Sequence, residues 1–267
     1  MNSNLVEKIK KDGIVKVVNF LNKEELKQFQ DIVRYYSAPK SSKNSYWPTN
    51  LKLLLFKLFK FEIKKLVHSL KILNFEKKKK LKKLADEFYG KKSFLKFIDA
   101  YYSPVSNKNI IDWHTDQAYS GSPKPDKFVN PDHFFLKIFI YLTDVNPKNG
   151  CMCYVPGSHK IGYAIRKGIY TKQISYEPYW HLKDIRKIIT KKENQKYFTN
   201  YFKDEKEALL NFLKNTEKLE NGSNSHDYDY SLKAGSAIIF DEGGVHKGSQ
   251  TLEHDRMVLR YLYSSFK

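Results

Sequence analysis

Trp113-His114-Thr115-Asp116-Gln117 holds an imidazole and a carboxylate two residues apart. In a strand, positions i and i+2 project from one face, so His114 and Asp116 offer two adjacent ligands to a divalent metal. A third ligand would complete a two-histidine, one-carboxylate face with open positions for other groups. Segment 234–246 can deliver it: an apolar strand, the Gly243-Gly244 turn, then His246. Each piece alone is ordinary, because His-x-Asp arises often by chance and a loop histidine commonly bonds only water. Ten residues on, Arg256 and Arg260 fall on one face of a strand. An arginine pointing into an apolar interior wants a carboxylate partner. Two kinds are open: a dicarboxylate cosubstrate whose keto-acid end chelates the metal, or an internal acid such as Asp99 or Asp112.

Other eligible residues read more plainly. His159 sits in a turn, and His133, His181, His226 and His254 lack a paired ligand at useful spacing. Cys151 and Cys153 could bind metal, but without a second cysteine pair they read as core packing.

The ligands need strands to hold them. Residues 13–20 read as a short strand. Asn22 with Glu25 forms a capping box that opens a helix through about Tyr36, with Leu26, Phe29, Ile32 and Val33 at helical spacing. Residues 37–49 are a polar connection. Over 50–89 leucines recur at helical intervals between lysines. This is either a basic amphipathic helix for a membrane or acidic partner, or a helix pair buttressing the main domain with lysines in water. The buttress is the favoured reading, with a turn over 77–80 and a helix end at Gly90. From Ser93 the period becomes two, giving strands over 93–102, 110–118, 134–142, 151–155, 236–240 and 257–263. In 134–142, Leu136, Ile138, Ile140 and Leu142 face one way and Lys137, Phe139 and Tyr141 the other. Turns are expected over 146–150 and 156–159. Such a pattern predicts a mainly β fold with flanking helices, a double-sheet barrel or jelly roll. Residues 163–230 interrupt it, with helices over 182–201 and 203–220 and a loop over 221–229. This insertion is expected to close over the site. The whole, 1–267, is taken as one domain.

Composition narrows the function. The 267 residues carry 48 Lys+Arg against 29 Asp+Glu, a formal charge of +19. Hydrophobic residues at 41% exclude wholesale disorder. Only five of the basic residues are arginines (Arg34, Arg166, Arg186, Arg256, Arg260), which weighs against a nucleic-acid reader. No apolar run reaches the ~18–20 residues of a spanning helix. The polar start, without a signal-like apolar region, and the two close cysteines favour a cytoplasmic protein.

In combination the motifs resemble the phytanoyl-CoA dioxygenase family. The order is Asp12-Gly13-Ile14-Val15, the Leu21–Leu26 helix start, His114-x-Asp116, Asn149-Gly150, Val155-Pro156-Gly157-Ser158-His159-Lys160, Gly235-Ser236-Ala237-x-x-Phe240, His246 and Arg256. It spans most of the chain except about 37–92 and 163–230. The resemblance implies a cupin-like double-stranded β-helix that binds Fe(II) and 2-oxoglutarate and uses O2. Iron ligands carry over to His114, Asp116 and His246. The cosubstrate carboxylate carries over to Arg256, with Arg260 its rival, because the family spacing after the distal histidine is often one residue longer. Gln117 matches a residue that often lines the site, Ser249 is placed to bond the cosubstrate, Phe139 matches the family's strand aromatic, and Lys137 on the same face is within reach of the cofactor. Asp at position 116 argues against the halogenating branch. The implied activity is a dioxygenase that hydroxylates an unidentified small or carrier-linked organic substrate, releasing succinate and CO2. Two alternatives stay open: a nucleic-acid- or protein-directed oxygenase on the same iron, and an inactive basic binding module.

Overall fold

The computed structural model describes residues 2–37, 45–57, 62–119, 130–175, 177–220 and 226–267. The chain opens with helix α1 (Asn2–Asp12), which the polar composition of the start concealed. Val6 and Ile9, one turn apart, are buried, and Leu5 packs partly buried beside them. Strand β1 (Ile14–Val17) follows, then α2 (Lys23–Tyr36). The Asn22 side chain accepts from the Glu25 amide at 2.8 Å, and the Glu25 carboxylate accepts from the Asn22 amide at 3.1 Å. The expected capping box is therefore present.

Within the expected 37–49 connection a short strand, β2 (Ser45–Trp47), adds to a sheet edge, while 38–44 lie outside the described residues. The helical stretch divides into α3 (Leu51–Phe56), α4 (Ile63–Lys78) and α5 (Leu81–Tyr89), with 58–61 outside the described residues. Gly90 ends α5 in the left-handed region, at φ 65°. The buttress reading holds for Ile72, Leu73, Phe75, Leu81 and Leu84, which enter the core. It fails for Leu51, Leu53, Leu55, Phe56 and Ile63, which remain exposed.

Eight further strands and four helices follow: β3 (Phe94–Ser103), β4 (Ile111–Tyr119), β5 (Phe135–Tyr141), β6 (Met152–Tyr154), α6 (Ser158–Tyr170), β7 (Tyr179–His181), α7 (Leu182–Thr190), α8 (Gln195–Tyr201), α9 (Lys206–Glu220), β8 (Asp229–Tyr230), β9 (Ala237–Asp241) and β10 (His246–Gly248). A last strand, β11 (Arg256–Ser264), closes the order. The turn expected at 156–159 is only the way into α6: Gly157 takes φ 79° and the helix starts at Ser158. Of the expected 221–229 loop, 221–225 lie outside the described residues and Asp229 already belongs to β8.

Two antiparallel sheets form, ordered β1-β9-β5-β11-β3-β2 and β7-β4-β10-β6-β8. The architecture is the double-stranded β-helix. On β5, Leu136, Ile138 and Ile140 pack under α1–α5, whereas Phe139 and Tyr141 face the lumen between the sheets. A third cluster gathers the insertion helices around Ile161, Ile165, Ile185 and Phe198, with Val155 and Val245 from the small sheet. Strand β7 of the insertion pairs directly with β4, opposite His114.

Ile9 is fully enclosed in the helix-covered core. Ile9→Ala should therefore lower unfolding free energy by about 2–5 kcal/mol in urea titration, although it lies in a segment whose composition looks dispensable.

Candidate metal centre

The register of the small sheet places the chemistry. His246 on β10 lies opposite His114 on β4 and opposite Tyr154 on β6. Residues directly opposite on antiparallel strands share a face, as do residues two apart on one strand. His114, Asp116 and His246 therefore converge, and one ligand atom from each lies within 4.8 Å of the others. The turn before His246 is tight: a side chain at Gly244 would collide with the Tyr154 hydroxyl, which donates to the Asp241 carbonyl at 3.1 Å.

Both rings are oriented by backbone. His114 Nδ1 sits 2.7 Å from the Asp112 carbonyl and His246 Nδ1 2.9 Å from the Gly244 carbonyl. A carbonyl only accepts, so each Nδ1 donates, which leaves Nε2 as the atom that the neutral form of each ring offers to a metal. Both Nε2 atoms face the Asp116 carboxylate, at 3.5 Å from His114 and 3.0 Å from His246. Burial lowers the His246 pKa more than its neighbours raise it. Three acceptors thus converge without protons of their own to share, the arrangement that a divalent cation satisfies. Backbone-held imidazoles with free Nε2 fit such an ion. The Asp116 side chain is 28% exposed and the two rings 2% and 5%, so the cluster opens on the carboxylate side.

Lys137, from the lumen face of β5, reaches Asp116 at 2.5 Å and Glu242 at 2.7 Å. Burial alone would raise the Asp116 pKa, but the Lys137 ammonium outweighs it and holds the carboxyl well below its usual range. Glu242 fares differently. Burial and the Asp116 charge push it up to about 7, against the pull of Lys137. Sequence reasoning missed Glu242, although the signal was available: Ile238 and Phe240 face the lumen, and the same parity carries on to 242. It also missed Trp180, whose ring stands 6.0 Å from that of His114 on the insertion strand.

The arginines part company. Arg260 forms a two-bond fork with Asp99, at 2.7 and 2.6 Å. This is the internal acid that the sequence left open. Arg256 is 2% exposed and pairs with no carboxylate among the described residues. Its Nη2 donates to the Tyr101 hydroxyl at 3.2 Å, its Nε has no partner, and the rings of Tyr101, Phe139 and Tyr141 surround it. A buried guanidinium with unspent donors, in the same lumen as the acceptor cluster, fits a carboxylate guest. Ser249 rests its hydroxyl on the Cys151 thiol at 3.5 Å. Gln117 is buried with its amide donating to the His133 carbonyl at 2.7 Å, a carbonyl that Arg166 also caps at 2.6 Å. Cys151, Cys153 and Asp229 also lie together, but the Cys153 thiol donates to Asp229 at 2.7 Å, a satisfied core contact. His159 and His254 bond to the Lys10 carbonyl and to Asn149.

Sheets and lumen together define the class, a 2-oxoglutarate-dependent oxygenase. The chain belongs to the phytanoyl-CoA dioxygenase (PhyH) family, whose profile matches residues 9–258. No curated protein sequence matches it. Among solved structures it resembles EvdO2 from Micromonospora carbonacea var. aurantiaca complexed with 2-oxoglutarate, at TM-score 0.54 and 12% identity, covering 100% of this chain and 91% of that one. HygX from Streptomyces hygroscopicus with nickel and 2-oxoglutarate bound gives TM-score 0.55 at 11% identity, over 98% and 86%. The epimerase SnoN in complex with Fe3+, alpha ketoglutarate and nogalamycin RO gives 0.52 at 13%, over 97% and 82%. At these identities the likeness is one of fold.

Removing Lys137 leaves buried Glu242 facing the partly exposed Asp116 with no cation between them, so Lys137→Met should cost the metal-free protein about 1–3 kcal/mol. Added Co(II) should restore more of its thermal stability than it adds to the wild type. A proton on His246 competes with metal, and its pKa lies below the ordinary 6.5. Mn(II) affinity, followed by EPR, should accordingly begin to weaken at a lower pH than proton competition from an unburied imidazole at position 246 would produce.

Proposed function

We propose that the protein is an Fe(II)- and 2-oxoglutarate-dependent dioxygenase that hydroxylates a small polar molecule. His114, Asp116 and His246 hold the iron, and Arg256 seats the far carboxylate of the cosubstrate. The observation that carries this is the coexistence, in one lumen, of three converging acceptors and a guanidinium without an acid. Bound iron and O2 would supply the oxidising power, with 2-oxoglutarate consumed to succinate and CO2. The chain orients and encloses. Carbonyls fix both imidazoles, Lys137 holds the Asp116 Oδ2 that also faces His246, and Phe139 with Tyr101 and Tyr141 keeps water from the guanidinium. We take 1–267 as one oxygenase domain, with the insertion as an elaboration beside the site.

A polar substrate is supported by the ion pairs near the cluster, Lys137 with Glu242 and Arg260 with Asp99. Charged pairs at this place make a poor surface for an alkyl chain. The nucleic-acid alternative loses ground for a structural reason. Arg166 and Arg256 are buried, Arg260 holds Asp99, and Arg186 caps the Leu213 carbonyl, leaving Arg34 as the exposed arginine.

Under anaerobic conditions Fe(II) with 2-oxoglutarate should give a weak visible charge-transfer band, absent in His246→Ala. Arg256→Ala should keep Mn(II) binding and lose about 10–100-fold in 2-oxoglutarate affinity, the worth of hydrogen bonds to a charged group. An unchanged affinity would move the seat elsewhere. Substrate-stimulated succinate release over a panel of polar metabolites would name the substrate. Mass gain of one oxygen would separate hydroxylation from the epimerisation of the epimerase SnoN.

A further inference from the structure

Helix α4 has two apolar faces. Ser69, Ile72, Leu73, Phe75 and Glu76 turn one face to the core. Ile63, Val67 and Leu70 recur at i, i+4 and i+7, and at about 100° per residue they fall on the opposite side. That side is uncovered among the described residues, with Ile63 81% and Val67 43% exposed. Helix α3 touches α4 and repeats the pattern: it buries Leu54 alone and leaves Leu55 and Phe56 outside, the latter 82% exposed. A helix in water ordinarily carries one apolar stripe, so a second stripe marks a surface made to be covered.

The charges around it indicate what covers it. Lys52, Lys57, Lys64 and Lys71 are exposed beside the stripe, and Glu62 is the one acid within described residues of 51–71. Apolar side chains seated among flexible lysine stems suit the boundary of an anionic bilayer, where the stems run along acyl chains and the ammonium groups meet phosphate. We infer that α3 and the outer face of α4 dock the protein onto anionic lipid membranes, lying on the surface. No helix among the described residues is long and apolar enough to cross one.

The test is sedimentation of the full chain with phosphatidylcholine vesicles, with and without about one third phosphatidylglycerol. The anionic vesicles should bind at least about tenfold more tightly, with binding weakening as salt rises. Phe56→Glu with Ile63→Glu should lose about tenfold of that binding while melting at the wild-type temperature, since both side chains lie in water. Equal binding by the double variant would reduce the attraction to general basic charge and overturn the proposal. So would absence of binding at low salt, or a concentration-dependent dimer that ignores vesicles and dissolves in the double variant; that last result would give the face to a second copy.

Discussion

Everything in the lumen depends on one register, His246 set opposite His114 across β10 and β4. Shifting the pairing by one residue would turn every side chain of the short β10 to the other face of the sheet. The register is pinned on both flanks, because β10 also pairs with β6. It is pinned at its start by the Gly243-Gly244 turn, where only glycine lets the backbone run against Tyr154. Secondary structure therefore does what coordination chemistry would otherwise have to do, bringing imidazoles from positions 132 residues apart (246 − 114) to a ring separation of 4.3 Å.

Around this pairing the protein buries charge that a soluble core normally avoids. Asp116 and Glu242 pair with Lys137 and Asp99 with Arg260, while Arg256 stands apart among aromatic rings. Such pairs contribute little net stability against apolar substitutes, yet losing one partner is costly. Their retention here is consistent with a site that must stay polar. The insertion takes part, since β7 lies beside the ligand strand and brings Trp180 near His114.

Much of this was legible beforehand, for a simple reason: strand parity is a strict period. It separated Leu136, Ile138 and Ile140 from Phe139 and Tyr141, and paired His114 with Asp116. What parity could not show was partner choice. Arg256 and Arg260 share a face, and only the cross-strand neighbour Asp99 distinguishes them. Helix α1 escaped notice because two buried side chains suffice to dock it, too few for a periodic signal. The outer stripe of α4 was hidden differently: leucines on opposite faces of one helix blur into a uniformly apolar pattern, which reads as a buried buttress.

The lumen's ledger of charge carries a consequence of its own. With neutral imidazoles and with Glu242 ionised, as it is above its raised pKa of about 7, the three cations Lys137, Arg256 and Arg260 equal the three carboxylates Asp99, Asp116 and Glu242. A doubly charged ion arriving alone leaves the interior positive, and a dianion arriving alone leaves it negative. Arriving together, they cancel. Electroneutrality thus makes each guest favour the other by the same factor, a reciprocal linkage transmitted through the low-dielectric interior without any movement of the backbone.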